Sequence, residues 1–261
     1  RQRLRFELAV GNSTLVQVVT LAADTKRLDI ETTADWREKH RMLRVSFPVS
    51  VQTESFSSDI QYGCIQRPTH RNTSWDTARF EVAAHRYVDL SDRDYGVALL
   101  NDCKYGHKVH ENVLDLNLLR SPTYPDPDAD QGAHVFNYSL LPHTGTLIES
   151  PVLAEAACLN VPVLAFEGRR GAFTSPCRLE GRGVSLEVIK RAEKTNTVVI
   201  RLVETDGRNS TCHVLLADPK TVLVETNLVE WTEDGRFAPG PDGAVELTLS
   251  PYAIRTFKLQ R

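Results

Sequence analysis

Apolar and polar residues alternate one by one along most of this chain, and this period-two pattern constrains the fold more than any other feature. Successive side chains of a β-strand point to opposite faces, so the alternation predicts strands with one buried and one solvated face. In segment 28–36, Leu28, Ile30 and Trp36 share one parity. The pattern recurs, separated by turn residues, in segments 43–49, 114–118, 136–140, 245–249 and 254–259. It predicts an all-β fold of antiparallel sandwiches.

The chain opens inside such a run, because Leu4, Phe6 and Leu8 alternate with charged residues. This pattern predicts a half-buried strand from the first residues onward. A chain that begins in a strand without an initiator Met is typical of a processed or partial polypeptide. We therefore expect it to be the C-terminal part of a larger protein.

One segment has the pattern of a helix. Ser150 is a favourable N-cap residue, Pro151 suits the first helical position, and the Ala-rich segment 152–159 follows. We predict a single short helix there, ended by Asn160 and Pro162.

The helix and the segment after it divide the chain. We predict a large sandwich over 1–148, a helix and connection over 149–183, and a smaller sandwich of about seven strands over 184–261. The connection is rich in Gly, Arg and Pro, and its stretch 169–171 suits a solvated linker better than an anion site.

Charge and composition exclude several classes. The chain has 31 Lys and Arg against 34 Asp and Glu, with no basic block, so we predict no nucleic-acid partner. No apolar run approaches the roughly 18 residues of a membrane-spanning helix. Five cysteines without a CxxC pair favour reduced thiols and a cytoplasmic location, against which stand four N-x-S/T sequons, at Asn12, Asn72, Asn137 and Asn209.

Metal and nucleophile motifs give no candidate. His107 and His110 lie three residues apart without an HxD or HExxH context, which favours polar loop histidines over metal ligands. The sequence also has no GxSxG elbow and no glycine-rich phosphate loop. We predict no catalytic residue, metal ligand or cofactor within this chain.

Two segments are denser in polar and aromatic residues than a normal turn. Segment 61–76 contains Tyr62, Arg67, Trp75 and Asp76, which would suit a carbohydrate surface. The interpretation we favour is an ordered loop held by its own salt bridges, with Trp75 packed on the sandwich.

The second dense segment is 89–130, where 101–111 is expected to form a polar hairpin or loop. Arg120 shares parity with Leu114, Leu116 and Leu118, so its charge needs water or a buried acceptor. It either projects into a neighbouring cleft or pairs with Asp126, Asp128 or Asp130, and parity leaves both open.

Four stretches are similar to a known family. Segments 35–49, 67–76, 94–107 and 118–143 resemble the C-terminal β region of class II α-mannosidases, glycoside hydrolase family 38, in its cytosolic and bacterial branch. Weaker similarity continues through 185–193 and 249–259. The resemblance implies a large supersandwich of galactose-mutarotase-like type followed by a smaller terminal sandwich.

The family resemblance also implies a function. Family members are retaining exo-glycosidases in which an aspartate attacks the sugar and a second carboxylic acid protonates the leaving group. They use a divalent metal, usually zinc. These groups lie on an N-terminal barrel and at the start of the helical domain after it, both before the matched region. The chain would then be the non-catalytic β portion of an enzyme acting on α-mannoside oligosaccharides.

The resemblance further implies that this region packs on its own barrel and contributes an arginine near the sugar. Arg120 is the best match, and Asn101, Asp102, Lys104 and Tyr105 are the candidates for substrate binding or the barrel interface. The alternative is a carbohydrate-binding or scaffolding module that acts alone. We expect no membrane partner, and the oligomeric state stays open.

Overall fold

A computed structural model describes residues 1–168 and 174–261. It divides into two compact units, Arg1–Leu164 and Ala165–Arg261. Every strand pair in both units is antiparallel, which confirms the predicted all-β fold. No helix in the described ranges is long and apolar enough to cross a membrane.

The first unit is a large sandwich of two sheets. Its strands are β1 (Gln2–Val10), β2 (Ser13–Leu21), β3 (Leu28–Trp36), β4 (Leu43–Pro48), β5 (Ser55–Ile60), β6 (Gly63–Pro68), β7 (Val82–Ala83), β8 (Tyr87–Ser91), β9 (Tyr95–Asn101), β10 (Gly106–His110), β11 (Val113–Leu119) and β12 (Gly132–Thr144).

The sheets of the large sandwich differ in size. One has eight strands in the order β1-β2-β3-β12-β9-β8-β5-β6, and the other has four in the order β4-β11-β10-β7. Alternating side chains from both sheets form the core, which includes Trp36, Leu99, Leu114, Leu116 and Tyr138. The period-two residues of β3 and β11 are therefore buried as predicted.

The second unit is a smaller sandwich. Its strands are β13 (Cys177–Gly181), β14 (Val184–Arg191), β15 (Val198–Glu204), β16 (Ser210–Leu216), β17 (Val222–Thr226), β18 (Glu233–Phe237), β19 (Ala244–Leu249) and β20 (Ile254–Gln260). They form a sheet β13-β16-β19 and a sheet β14-β15-β20-β17-β18. Ile200, Leu202, Leu223, Leu247 and Phe257 are buried between them.

Helices are few, but the prediction of a single one was wrong. The expected helix is α2 (Val152–Asn160), whose first N–H donates to the Ser150 hydroxyl at 3.2 Å, while Pro151 is the N-cap rather than the first helical residue. A second helix, α1 (Ser74–Ala78), begins after Thr73. A short 3-10 turn precedes α2 at Leu147–Glu149.

The observed division differs from the predicted one at both boundaries. Val152 and Ala156 of α2 pack against Ala98 and Leu100, so the helix belongs to the large unit. The strand β13 lies inside the predicted connection and pairs with β16, so it belongs to the small unit. Residues 169–173 of that connection lie outside the described residues.

The first strand forms where predicted, but its half-burial was wrong. β1 pairs only with β2, at the edge of the eight-stranded sheet, and both of its faces are exposed. Leu4, Phe6 and Leu8 remain 64%, 46% and 45% exposed. An exposed apolar row on an edge strand is typical of a surface that binds another protein segment.

Segment 101–111 is more regular than expected because β10 lies within it and pairs with both β11 and β7. His107 and His110 are therefore strand residues, and their assignment to a polar loop was wrong. His107 faces the sandwich interior and is fully buried.

Candidate functional site

Two loops meet where β3 and β11 end and β12 begins. They are the β3–β4 loop, residues 37–42, and the β11–β12 loop, residues 120–131. The His40 N–H donates to the Ser121 carbonyl at 2.9 Å, and Gln131 Nε2 donates to the Glu38 carbonyl at 2.6 Å. Lys39 Nζ lies 2.8 Å from an Asp128 carboxylate oxygen. These contacts fix both loops as one polar surface.

Asp130 closes the base of the β11–β12 loop. One of its carboxylate oxygens accepts the N–H groups of Arg120 at 3.0 Å and Ser121 at 2.8 Å. Partial burial opposes ionisation, but these two N–H groups and the positive charges of His134 and Lys104 together lower the pKa of Asp130. The charged carboxylate therefore holds the two ends of the loop together.

The backbone at this base is held in an unusual conformation. Ser121 and Asp130 have φ angles of 48° and 62°, in the left-handed region that non-glycine residues rarely adopt. The Ser121 hydroxyl accepts the indole N–H of the buried Trp36. A strained position persists only where the surroundings determine it, so the place of Arg120 is fixed by its neighbours.

Arg120 itself lies just beyond β11. A bulge between Asn117 and Leu119 interrupts the alternation, and Leu118 and Leu119 are both buried, so strand parity does not extend to Arg120. Its side chain is exposed, and within the described residues its guanidinium forms no ion pair with the three nearby aspartates. Of the two alternatives that parity left open, the local ion pair is therefore not formed in the described residues, and the role of Arg120 beside a sugar stays a prediction.

Asn101 organises the neighbouring β9–β10 loop from within. Its Oδ1 accepts the N–H groups of Cys103 and Lys104 at 3.1 and 2.6 Å, and its Nδ2 donates to the His85 carbonyl at 2.9 Å. The side chain is buried. Because its polar atoms are occupied inside the chain, Asn101 positions the loop rather than offering a contact to a partner.

Lys104 lies near Asp130, which closes the β11–β12 loop. Its Nζ lies 4.7 Å from the centre of the Phe136 ring, and Phe136 stacks on His134 with 5.7 Å between ring centres. His134 Nε2 lies 2.9 Å from the Asp130 carbonyl oxygen. Lys104 therefore lies near enough to Asp130 for its positive charge to help lower the pKa of that carboxyl, although the two form no ion pair in the described residues.

The remaining candidates lie on the same loop. Tyr105 is exposed and meets His85 edge-on, with 5.3 Å between ring centres. Asp102 accepts the Asn137 amide at 2.8 Å through Oδ2, while its buried Oδ1 has no hydrogen-bond partner in the described residues. Both side chains can contact a neighbouring surface.

Sequence analysis considered Asp130 only as one possible ion-pair partner of Arg120, and it gave His134 and Phe136 no role in a site. The repeated Asp and Pro of segment 125–130 are typical of turns in which carboxylates cap backbone N–H groups, and this signal could have identified Asp130. Phe136 was assigned only as a strand residue and His134 was not singled out, because their place beside Asp130 and Lys104 depends on contacts between loops distant in sequence.

Segment 61–76 is partly as expected. The β5–β6 hairpin, β6 and α1 make it ordered, but the packing predicted for Trp75 was wrong because α1 buries no residue and Trp75 is 74% exposed. Asp76 forms a capping box with Thr73, and its carboxylate lies 3.7 Å from His70 Nδ1. The capping box, more than a network of salt bridges, holds this segment.

Two family models match the chain. Residues 1–128 match the glycosyl hydrolases family 38 C-terminal domain, and residues 183–257 match the glycosyl hydrolases family 38 C-terminal beta sandwich domain. The two matches fall on the large and the small sandwich respectively.

Curated relatives show the same similarity. The chain is 40% identical over 254 residues to alpha-mannosidase 2C1 of Mus musculus, covering 95% of this chain and 24% of the relative. It is 35% identical over 262 residues to alpha-mannosidase G of Dictyostelium discoideum, covering 96% of this chain and 24% of the relative. The chain thus spans about a quarter of the length of these relatives.

Solved structures share the fold. A crystal structure of an alpha-mannosidase from Enterococcus faecalis V583 superposes with a TM-score of 0.79 at 21% identity, over 95% of this chain and 29% of that chain. At this identity the match establishes the arrangement of the strands.

Proposed function

The chain belongs to glycosyl hydrolase family 38 as a C-terminal region, and on that premise we propose that it is the non-catalytic β portion of an exo-acting, retaining α-mannosidase. The observation that carries the proposal is its 40% identity to an alpha-mannosidase of which it spans only 24%. The substrates are terminal α-mannosides, and the main partner is the N-terminal catalytic barrel of the same polypeptide.

The groups that retaining hydrolysis requires are assigned to the part of the polypeptide that precedes this chain. Such hydrolysis needs two carboxyl groups about 5–5.5 Å apart, one as nucleophile and one as acid. The family resemblance assigns both groups, and the divalent metal, to parts of the enzyme that precede this region. In the described ranges no three His, Cys, Asp or Glu side chains converge as a metal site needs, so this chain's residues do not fit the metal. We assign it to the rest of the polypeptide.

Arg120 is the residue of this chain that we propose to reach the sugar site. Its backbone is fixed by Asp130, and its exposed guanidinium forms no ion pair among the described residues. A planar guanidinium can donate two parallel hydrogen bonds to a carboxylate or to neighbouring hydroxyls, which a lysine cannot reproduce. Lys104 and Tyr105 lie on the adjacent loop and would complete the junction.

An exposed apolar surface on β1 also supports the proposal that the catalytic barrel is the partner of this chain. Leu4, Phe6 and Leu8 present an apolar row on the edge strand β1. Apolar burial contributes about 25 cal/mol per Å², so covering this row would stabilise the complete enzyme. We propose that the preceding part of the polypeptide covers it.

We also propose a cytoplasmic location. The five cysteines form no disulfide. The sequon residue Asn137 uses its amide to donate to Asp102 at 2.8 Å, and a glycan on that nitrogen would break the contact. Reduced thiols and an engaged sequon suit a reducing compartment better than a secretory one.

Hydrolysis of an aryl α-mannoside tests the proposal. The complete polypeptide should hydrolyse it with retention at the anomeric carbon, whereas the isolated chain should show no turnover and no stoichiometric tightly bound zinc. Turnover by the isolated chain, after controls for host enzyme, would contradict the non-catalytic assignment. If the complete polypeptide bound α-mannosides without hydrolysing them, and the isolated chain bound them equally well, the chain would instead be a stand-alone binding module.

A further inference from the structure

A pocket of roughly 210 Å³ opens at the side of the large sandwich, between β6 at the end of one sheet and β10 and β7 of the other. Residues of segment 61–76 form its rim. Its apolar wall consists of Phe56, Ile65, Pro68, Val82 and Val109. The family comparisons assign no role to this pocket.

The lining is strongly basic. Arg67, Arg71, Arg79 and Lys108 line the pocket, and within the described residues none of them has an ion-pair partner within 4 Å. Asp76 is the carboxylate of the lining; its Oδ2 accepts the N–H and hydroxyl of Thr73 at 3.2 and 2.7 Å, and its charge offsets only part of the positive charge around it.

Arg67 is the most unusual of these cations. Its Nη1 is buried and has no hydrogen-bond partner among the described residues. Burial lowers the pKa of Arg67, and the positive charge of Arg79 lowers it further, while Cys64 acts in the opposite direction. A desolvated guanidinium without a counter-ion is costly, and such groups are normally paired.

His107 adds a second buried nitrogen without a partner among the described residues. The Asn101 carbonyl oxygen already accepts two N–H groups, so its amide nitrogen faces His107 Nε2, at 3.4 Å. The Lys104 carbonyl accepts a hydrogen bond from the ring, and the nitrogen left without a partner is Nδ1. This Nδ1 is buried and has no hydrogen-bond partner in the described residues, although His107 lines the pocket.

We propose that the pocket binds a small anion through its carboxylate or phosphate group, with the guanidinium of Arg67 as the donor. Arg79 adds positive charge at the entrance, and the wall of Phe56, Val82 and Val109 contacts the apolar part of the ligand. The anion is either a free small molecule or a carboxylate side chain from the rest of the polypeptide, since both present the same forked acceptor.

Calorimetric titration with inorganic phosphate and with benzoate, in a buffer of low anion content, tests the site. We expect the isolated chain to bind at least one probe, and Arg67→Gln to weaken binding at least tenfold. The matched control Arg93→Gln removes one positive charge from an exposed position outside the pocket and should change affinity less than twofold. Binding by the complete polypeptide as well indicates a free ligand, whereas binding by the isolated chain alone indicates that the polypeptide's own carboxylate fills the pocket.

Melting temperatures keep the proposal falsifiable if affinity is low. Without anion, Arg67→Gln should melt at or above the wild-type temperature, because it removes an unpaired, partly buried charge. Saturating probe should raise the melting temperature of the wild type and of Arg93→Gln, and not that of Arg67→Gln. No binding of either probe to the isolated chain, or equal binding by wild type and Arg67→Gln, would overturn the proposal.

Discussion

In the small sandwich the buried carboxylate of Glu204 accepts four hydrogen bonds, whereas in the large sandwich two buried nitrogens, one of Arg67 and one of His107, have no partner among the described residues. Glu204 receives the N–H groups of Asp206, Gly207 and Tyr252 and the Ser210 hydroxyl, each at 2.9 Å. The unsatisfied atoms Arg67 Nη1 and His107 Nδ1 lie in one pocket.

This difference distinguishes buried polar groups that stabilise the fold from buried polar groups that have no partner within their own unit. A buried polar group that is fully hydrogen-bonded within its own unit stabilises that unit, while a buried group without a partner costs stability and needs another explanation. All the candidate functional residues, Arg120 among them, also lie in the large sandwich. We therefore propose that the large sandwich carries the functional surfaces, whereas the fully hydrogen-bonded carboxylate of Glu204 stabilises the small one.

The largest expected effect concerns the small sandwich, where the carboxylate of Glu204 is fully hydrogen-bonded. Glu204→Ala would leave three N–H groups and a hydroxyl without their acceptor, so it should lower the free energy of unfolding of the small sandwich by about 3 kcal/mol or more. Urea unfolding of the isolated chain measures this. Glu246→Ala, which removes an exposed carboxylate of β19, should cost less than about 0.5 kcal/mol. A small effect at Glu204 would remove the contrast between the two units.

The next effect is a pH dependence in the large sandwich. Burial lowers the pKa of His107 from its usual 6.5 to about 4, and the Lys104 carbonyl only partly offsets this. Because the folded-state pKa is depressed, the unfolded chain takes up a proton first, and stability falls as the pH drops from 6.5 toward 4. Between pH 7 and 4.5 the wild type should lose about 2–3 kcal/mol more than His107→Gln. Parallel losses in both proteins would show that His107 is not held neutral by burial.

A smaller effect concerns the loop that positions Arg120. Asp130→Ala removes the acceptor of two backbone N–H groups and should lower the stability of the large sandwich by about 2 kcal/mol at neutral pH. Since the pKa of Asp130 is lowered below its usual 3.8, its contribution is present above that pH and is lost as the pH falls through the lowered pKa. Unfolding at pH 7 and pH 2.5 checks both points. Asp234→Ala on the exposed strand β18 is the control, and an equal effect there would contradict the capping role.

Sequence alone predicted what depends on local pattern. β3 follows from alternation because burial of one face imposes that pattern on its residues. In β11 the leucines alternate as predicted, but Asp115 and Asn117 on the other face are buried as well. The helix α1 was missed although Thr73 and Asp76 have the spacing of a capping box, since five residues are too few for helical periodicity to show. The exposure of β1 could not be predicted, because its alternation is the same whether or not a second layer covers it.

The candidate site was less predictable, because its contacts join segments distant in sequence. The resemblance identified Arg120 and the 101–105 loop, but only the folded chain shows that Asp130 holds the Arg120 backbone and that Lys104 lies near it. The prediction that Arg120 shares a face with Leu114, Leu116 and Leu118 was wrong because of the bulge before Leu119. One extra residue in a strand reverses the faces of all residues that follow it. The pocket was not predicted, because the spacing of Arg67 and His107 in the sequence matches no known motif.

The most direct test of the functional assignment of the large sandwich is the kcat/KM of Arg120→Lys in the complete polypeptide, measured with an aryl α-mannoside beside its melting temperature. We expect activity to fall at least tenfold with an unchanged melting temperature, because a lysine cannot replace the planar fork and one charge-assisted hydrogen bond contributes about 1.5–3 kcal/mol. Arg93→Lys, at an exposed position of the same sandwich, should retain full activity. Near-normal turnover of Arg120→Lys would contradict the assignment of Arg120 to the sugar site, and with it the functional role given to this end of the large sandwich.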